Sequence, residues 1–268
     1  MSLSSFNLDI VIDQPQTGVS ALYARCDLSK GQIKDAMQKG AVWLRRDGRA
    51  QRLRRAKRQL RAGDALSLYY NEAILKLEPA RPQLLRDEQN YSLWYKPAGL
   101  MATGSRYADH HSILRQVELA LHRPTLLVHR LDRFTRGVML LAHSKKTAAA
   151  LSKQFSDRVV QKIYQAEVVG SMDQSRTVEL SVNGKPAVSH IRPLQTNADR
   201  TIVEVQIETG RKHQIRTHLA AIGYPIVGDR KAGQGERDLQ LVAVRLCFVC
   251  PDSEQSVECA LEPELRLL

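Results

Sequence analysis

The chain has 268 residues, of which 43% are hydrophobic and 5% aromatic, so it can bury an ordinary core built mainly from aliphatic side chains. It carries 40 Lys and Arg against 28 Asp and Glu, which gives a formal net charge of +12 at pH 7. This composition excludes a disordered or fibrous chain and favours a polyanionic partner, although a merely soluble basic protein can have the same charge.

Neither a targeting signal nor a membrane segment is predicted. Met1 to Ile12 lacks a basic stretch followed by an apolar core, and no window approaches the ~18 apolar residues of a spanning helix. We therefore expect a cytoplasmic protein that does not contact a membrane. Cys247 and Cys250 form a Cys-x-x-Cys pair, but only Cys259 lies nearby, and a zinc site usually needs about four ligands. Reduced structural thiols are the favoured interpretation.

The first third of the chain alternates helical and extended patterns. Lys30 to Lys39 has helical periodicity, Gly40 ends that helix, and Ala41 to Leu44 has the composition of a strand. A Gly63-Asp64 turn then precedes a second strand. These features resemble the second half of an S4-type RNA-binding domain, although the usual opening Arg-Leu-Asp of that family is missing. The resemblance implies a small, divergent S4-like α/β domain at the N-terminus.

A dense basic segment lies inside this region. Nine of the seventeen residues from Arg45 to Arg61 are Lys or Arg, and only Asp47 has the opposite charge. Such density favours contact with phosphates, and Arg54, Arg55 and Arg58 are candidate RNA-binding residues. A disordered or merely solubilising basic loop is the alternative.

A domain boundary is predicted near residue 80. Glu78 to Asp87 contains two prolines, and proline disfavours both helices and central strands, so this stretch is typical of a linker. We assign residues 1–80 to the S4-like domain with its linker and residues 81–268 to a larger second domain.

The second domain mixes strand and helix patterns. Ser144 is a candidate N-cap for a helix from Lys145 to Phe155, in which Ala148, Leu151 and Phe155 share one face. Strands are predicted at Ser92 to Tyr95, Leu126 to Val128, Val138 to Ala142, Tyr164 to Val169, Thr177 to Val182, Ala187 to Arg192 and Thr201 to Glu208. These elements predict an α+β fold with a mixed, mostly antiparallel sheet.

A polar loop between two of these strands contains a candidate reactive group. Val128 to Ala142 reads Val-His-Arg-Leu-Asp-Arg-Phe-Thr-Arg-Gly-Val-Met-Leu-Leu-Ala, so Arg130 and Asp132 lie on a loop whose ends a sheet would hold. His129, Arg130 and Arg133 create a positive field that favours an ionised carboxylate, the form that a nucleophile needs. Without further context, a lone loop aspartate is usually a turn or cap residue.

Three other segments complete the pattern. Lys96-Pro-Ala-Gly99 precedes the loop, Lys162-Ile-Tyr-Gln-Ala166 follows it, and Thr209-Gly-Arg-Lys-His-Gln-Ile-Arg-Thr-His218 comes later. In order, spacing and residue type they resemble the motifs of the RluA-type RNA pseudouridine synthases. One position departs from the family pattern, because Arg136 stands where serine is usual.

The resemblance implies an isomerase that converts uridine to pseudouridine in large-subunit ribosomal RNA or transfer RNA, without a metal or other cofactor. Asp132 would act on the uridine, either by attacking the sugar or by promoting elimination to a glycal. Arg216 would form a bidentate pair with Asp132, and Arg130 would replace the flipped nucleotide. Tyr164 would stack on the uracil, and its hydroxyl is a candidate proton relay, although a core tyrosine is the plain alternative.

The remaining candidate RNA-binding residues lie near these blocks: Lys96, His129, Arg211, Lys212 and His213. Loop support is an equal alternative for His129. His213 and His218 are five residues apart, which does not match the i, i+4 spacing of a two-histidine metal helix, so no metal site is expected. We also expect a monomer.

Two rival functions remain open from the sequence. An RNA-binding protein of the same fold that has lost catalysis has its only support in Arg136. A glycoside hydrolase also acts at an anomeric carbon, but it ordinarily needs two carboxylates at the bond, and the motif blocks supply one.

Overall fold

The structure is a computed structural model that describes residues 4–234 and 238–268; residues 1–3 of the predicted first domain lie outside them. The chain forms two compact units, one running up to Pro79 and including Thr103–Gln116, the other containing Ala80–Ala102 and Val117–Leu268. The chain leaves the first unit close to the predicted boundary at residue 80. Residues 81–268 are not one continuous unit, however, because Ala108 is buried in the core of the first unit.

The first unit is built on an antiparallel sheet of order β1-β6-β3-β4, with β2 paired to β5. Its elements are β1 (Ser5–Val11), β2 (Gln16–Thr17), α1 (Gly18–Tyr23), α2 (Lys30–Gln38), β3 (Val42–Arg46), β4 (Arg49–Arg52), β5 (Gln59–Leu60), β6 (Ala65–Asn71) and α3 (Glu72–Leu75). Ser29 caps α2 in a capping box with Gln32. The predicted helix from Lys30 and the strands after Gly40 and Gly63 are confirmed.

The second unit is built on one large sheet of order β12-β13-β14-β11-β15-β10-β8-β7, with β16 added to β15 and β9 to β10. Its strands are β7 (Gln83–Asp87), β8 (Tyr91–Lys96), β9 (Leu126–Leu127), β10 (Arg136–Ala142), β11 (Gln161–Val169), β12 (Arg176–Val178), β13 (Ser189–Thr196), β14 (Arg200–Ile207), β15 (Leu241–Val249) and β16 (Ser256–Ala260). The helices are α4 (Ile113–Leu121), whose residues from Val117 onward belong to this unit, α5 (Lys145–Ser156) and α6 (Gln214–Ala221). The predicted α+β fold with a mixed, mostly antiparallel sheet is confirmed.

Two predicted elements differ from the structure. The proposed linker from Glu78 to Asp87 contains edge strand β7, which begins immediately after Pro82, where a missing amide donor is tolerated. The predicted strand from Thr177 to Val182 ends at Val178, because the chain leaves the sheet edge for a turn in which Val182 pairs with Lys185. In the described residues no helix is long and apolar enough to cross a membrane.

The start of β10 fixes one end of the loop that contains Asp132. β10 runs parallel to β15, with Gly137 opposite Ala243, and it runs antiparallel to β8 on its other side. Gly137 has a φ of 121°, and a Cβ there would lie 2.2 Å from the Ala243 carbonyl oxygen. Only glycine allows this close approach, so the residue determines where the loop joins the sheet.

Candidate active site

Asp132 lies in the loop 128–135 between β9 and β10, which we call the aspartate loop. The Thr135 amide donates to the Asp132 carbonyl at 3.2 Å and closes a turn around the carboxylate. The Gly99 amide donates to the Arg133 carbonyl at 2.9 Å, and Arg133 Nε donates to the Gly99 carbonyl at 3.2 Å. The turn that follows β8 therefore holds the backbone next to Asp132.

Lys96 is the centre of this support. Its side chain is fully buried (0% exposed), and its Nζ donates to the carbonyl oxygens of Pro97 at 3.0 Å, Leu100 at 2.8 Å and Arg133 at 3.1 Å. Burial lowers its pKa to about 7, although Asp132 favours the charged form. The prediction that Lys96 binds RNA is therefore wrong, because its ammonium group is committed to backbone carbonyls and cannot reach solvent. Lys96 positions the aspartate loop instead.

His129 also supports the loop. Its Nε2 accepts a hydrogen bond from the Leu140 amide at 2.9 Å, and its ring stacks on Phe155 with centroids 4.5 Å apart. Burial lowers its pKa to about 3, so the ring is neutral at physiological pH. Both observations favour the supporting role over the RNA contact that was also predicted for His129.

Arg216 pairs with a different carboxylate from the one predicted. Its Nε donates to Asp229 Oδ2 at 2.8 Å and its Nη2 to Asp229 Oδ1 at 2.5 Å. The predicted bidentate pair with Asp132 is therefore wrong: the guanidinium binds Asp229, and Asp132 acts on it only as a nearby charge. Burial alone would raise the pKa of Asp229, but the hydrogen bonds from Arg216 and the Lys231 amide, together with the charges of Arg216 and His213, outweigh burial and lower it. Hydrogen bonding to Asp229, with Asp132 as a smaller influence, raises the pKa of Arg216.

His213, rather than Arg216, contacts Asp132 in the structure. Its Nε2 lies 3.7 Å from Asp132 Oδ2, and Lys231 Nζ contacts its Nδ1 at 3.0 Å. Because an ammonium can only donate, Nδ1 is the acceptor and the ring proton is on Nε2, facing the carboxylate. Burial lowers the pKa of His213, with the attraction of Asp132 opposing it. The sequence predicted an RNA contact here, and the structure adds a contact with Asp132.

Tyr164 and Asp132 line one cavity of about 240 Å³ together with Arg130, Lys212, His213 and Arg216. Tyr164 is 8% exposed and lies on β11 beside a register shift between β11 and β15, an irregularity that re-aims side chains near active sites. Burial raises the pKa of Tyr164, and the charge of Asp132 raises it further. The phenol is therefore neutral at physiological pH.

Three of the other predicted RNA-binding residues, Arg130, Arg211 and Lys212, lie at the rim of the Asp132 cavity. Arg130 and Lys212 are exposed, whereas Arg211 is half-buried and donates from Nε to the Pro186 carbonyl at 3.1 Å. Arg136 begins β10, and its Nη2 contacts Gln240 Oε1 at 3.4 Å. It is not among the residues that line the Asp132 cavity.

The basic segment of the first unit divides into structural and exposed members. Arg54 donates to the Gln38 carbonyl at 3.0 Å and pairs with Asp109, so its predicted role in binding RNA is not supported by its contacts. The cause is Asp109, a carboxylate 55 residues away that the fold brings to this arginine. Arg55 is exposed and Arg58 is half-buried, and their roles stay predictions.

The described residues contain no group of three or more His, Cys, Asp or Glu side chains that could hold a metal ion. His218 is fully buried and bonds the Ser189 hydroxyl and the Leu180 carbonyl, each at 2.9 Å. The four cysteines are free thiols in the structure.

Comparisons with known proteins place the chain in a known class of enzymes. Residues 90–221 match the family model of the RNA pseudouridylate synthases. The chain is 32% identical over 205 residues to the dual-specificity RNA pseudouridine synthase RluA of Vibrio vulnificus, covering 66% of this chain and 82% of that one. It is 31% identical over 189 residues to the ribosomal large subunit pseudouridine synthase D of Nitrosomonas europaea, covering 63% and 54%.

A solved structure shows the same fold. The human protein RNA pseudouridylate synthase domain containing 1 superposes with a TM-score of 0.59 at 20% identity, covering 69% of this chain and 86% of that one. The chain belongs to the RNA pseudouridylate synthase family, within the RluA group, and is an isomerase that forms pseudouridine from uridine in RNA.

Proposed function

We propose that Asp132 carries out the isomerisation, on uridines of structured large-subunit ribosomal RNA or transfer RNA. The observation that supports this most is the placement of Asp132, whose side chain is 21% exposed, in a cavity beside Tyr164 and Arg130. Contacts at both ends of the aspartate loop hold its backbone in place. The Asp132 carboxylate therefore has a fixed position, as catalysis requires.

The reaction breaks the bond between N1 of uracil and C1′ of ribose and forms a bond between C5 and C1′. N1 ends with a proton, and C5 must lose one, so atoms balance without a redox partner or a metal. Asp132 acts either by attacking C1′ to give a covalent ester or by taking a proton from C2′ to give a glycal. The geometry supports both routes equally, because each needs an ionised carboxylate at the ribose.

Tyr164 provides the face against which the uracil stacks. A residue that is 8% exposed offers mainly its ring to the cavity, and a raised pKa disfavours the phenolate that a general base would need. We therefore favour stacking over proton removal by a tyrosinate.

Arg216 contributes positive charge beside Asp132 while Asp229 holds it in place. The bidentate contact fixes both the position and the plane of the guanidinium. His213, with its Nε2 proton facing Asp132, adds a polar contact on the same side of the cavity.

RNA reaches this cavity as a flipped nucleotide, because a stacked base conceals its sugar linkage. Arg130 is exposed on the aspartate loop, and its planar guanidinium suits the space that the flipped base leaves. Arg211 and Lys212 at the rim, and Arg55 and Arg58 in the first unit, supply phosphate contacts. We also propose that the enzyme is monomeric and works in the cytoplasm, where its four free thiols would stay reduced.

The test is direct. Purified protein is incubated with unmodified transcripts of large-subunit ribosomal RNA and of transfer RNAs, and pseudouridine is located by base-specific chemical labelling. The proposal predicts mass-neutral conversion at one or a few uridines in one of these RNA classes. Absence of pseudouridine in both classes would contradict it.

A further inference from the structure

A second cavity adjoins the Asp132 cavity, and Tyr164 lines both of them. Its volume is about 420 Å³, and it shares Arg130, Tyr164 and Arg211 with the Asp132 cavity, whereas Asp132 is not among its lining residues. Lys162 and Arg158 line only the second cavity. The second cavity adjoins the cavity in which we place the target uridine. When RNA binds with that uridine beside Asp132, the next nucleotide is therefore within reach of the second cavity.

Lys162 is the unusual residue of this cavity. It is 7% exposed, and its Nζ donates to the Glu208 carbonyl at 3.2 Å. Burial lowers its pKa, and the nearby charge of Arg158 lowers it further. A buried ammonium beside another cation is costly unless an anion binds it.

The cavity offers little negative charge to offset these cations. Arg130, Arg158, Lys162 and Arg211 all line it. In the part of the chain that the structure describes, Glu208 is the one lining residue with a carboxylate, and its Oε1 bonds His190 Nε2 at 2.9 Å. The cavity is therefore a concave cationic site whose one carboxylate is already engaged by a histidine.

We propose that this cavity binds the phosphodiester group of the nucleotide next to the target uridine, with Lys162 and Arg158 as its principal ligands. The inference rests on the proposed function insofar as the anion belongs to substrate RNA. A phosphate placed there anchors the strand next to Tyr164 while the uridine enters the adjoining Asp132 cavity. Lys162 is thus a substrate-positioning residue, and its loss weakens binding more than chemistry.

The test compares Lys162→Met, which keeps the length of the side chain but not its charge, with the exposed matched control Lys146→Met. The probe is an RNA transcript on which the wild type forms pseudouridine. Lys162→Met is expected to bind it about tenfold more weakly. The slope of log affinity against log salt should fall by about 0.7 to 0.9, as expected for one lost phosphate contact. The single-turnover rate at saturating RNA should fall far less, and Lys146→Met should match the wild type in every measurement.

Arg158→Asn gives a second, independent arm. Arg158 has a φ of 62°, a left-handed conformation that asparagine tolerates, so this variant removes a charge without straining the backbone. It should weaken binding and reduce the salt slope in the same way. The Tm of Lys162→Met should stay within about 4 °C of wild type, the equivalent of a small change in stability.

Unchanged affinity and salt slope in both variants would overturn the proposal. So would a loss in Lys162→Met confined to Tm, which would mark a purely structural lysine. Failure of the proposed function is distinguishable from both results, because then the wild-type protein itself would form no pseudouridine on any transcript.

Discussion

The pairing of Arg216 leads to a prediction whose size follows from the structure. The side chains of Arg216 and Asp229 are 12% and 2% exposed and share two hydrogen bonds. Removing one partner of such a buried pair leaves an uncompensated charge and costs about 3 to 5 kcal/mol. For Asp229→Asn we expect the lower end, about 3 kcal/mol, because the amide oxygen still accepts one hydrogen bond. At about 2 to 4 °C per kcal/mol for a unit of this size, Tm should fall by roughly 6 to 12 °C.

A double-mutant cycle in urea identifies the true partner of the arginine. Arg216→Met combined with Asp229→Asn should show a coupling free energy of about 2 to 3 kcal/mol. The same arginine variant combined with Asp132→Asn should show less than about 1 kcal/mol. The pair of exposed Arg192 and half-buried Glu204 is a control, also expected below about 1 kcal/mol.

The pH dependence supplies a second check on the same pair. Because the pKa of Asp229 is lower in the folded state, the pair stabilises the protein above the unfolded pKa of about 4. This stability is lost as the pH falls through the lower folded value. The difference in unfolding free energy between wild type and Asp229→Asn should therefore shrink below about pH 4. Strong coupling to Asp132 with none to Asp229 would refute the assignment.

Three further predictions concern the frame and the first unit. Lys96→Met should lower Tm, because it leaves buried carbonyls without donors. The pKa of Lys96 is about 7 in the folded state and about 10 in the unfolded state. The stability of the wild type relative to Lys96→Met should therefore rise with pH between these two values. A stability difference that does not change with pH would contradict the burial argument. Gly137→Ala should abolish soluble expression or cost more than about 3 kcal/mol, because the added Cβ meets the backbone of β15; a Tm equal to wild type would show that the strands can separate there. Arg55→Ala should reduce the salt slope of RNA binding with little change in Tm, whereas Arg54→Ala should mainly lower Tm; the reverse pattern would show that Arg54, not Arg55, touches phosphate.

Local signals in the sequence were sufficient for much of the fold. The strand pattern, the Ser144 cap and the glycines after α2 and before β6 each act through neighbours a few residues away, so they are readable without tertiary information. β7 was missed because an edge strand tolerates the prolines that precede it. Thr103–Gln116 was assigned to the wrong unit because membership depends on the burial of Ala108 and the pairing of Asp109.

For the site, too, the sequence did not predict contacts that depend on the tertiary structure. Asp132, Tyr164 and Arg216 from the motif blocks line one cavity, as the resemblance implied, and His213, predicted only as an RNA contact, lines it too. The motif blocks did not say which carboxylate Arg216 binds, since Asp229 follows α6 in a segment whose side-chain directions only the fold determines. The charge of Lys96 was also misleading, because this residue is buried although lysine is usually exposed. Lys162 did carry a signal, its place two residues before Tyr164 in the second block.

The central claim is that the carboxylate of Asp132 performs the isomerisation. Asp132→Asn removes the ionisable group with little change in volume, and Asp173→Asn, an exposed residue of the same unit outside the cavity, is its control. The measurement is pseudouridine formed in a single turnover on an RNA that the wild type modifies, with Tm and RNA affinity recorded for each protein. The account predicts no detectable product from Asp132→Asn at near wild-type Tm and affinity, and full activity from Asp173→Asn. Substantial turnover by folded Asp132→Asn would contradict it.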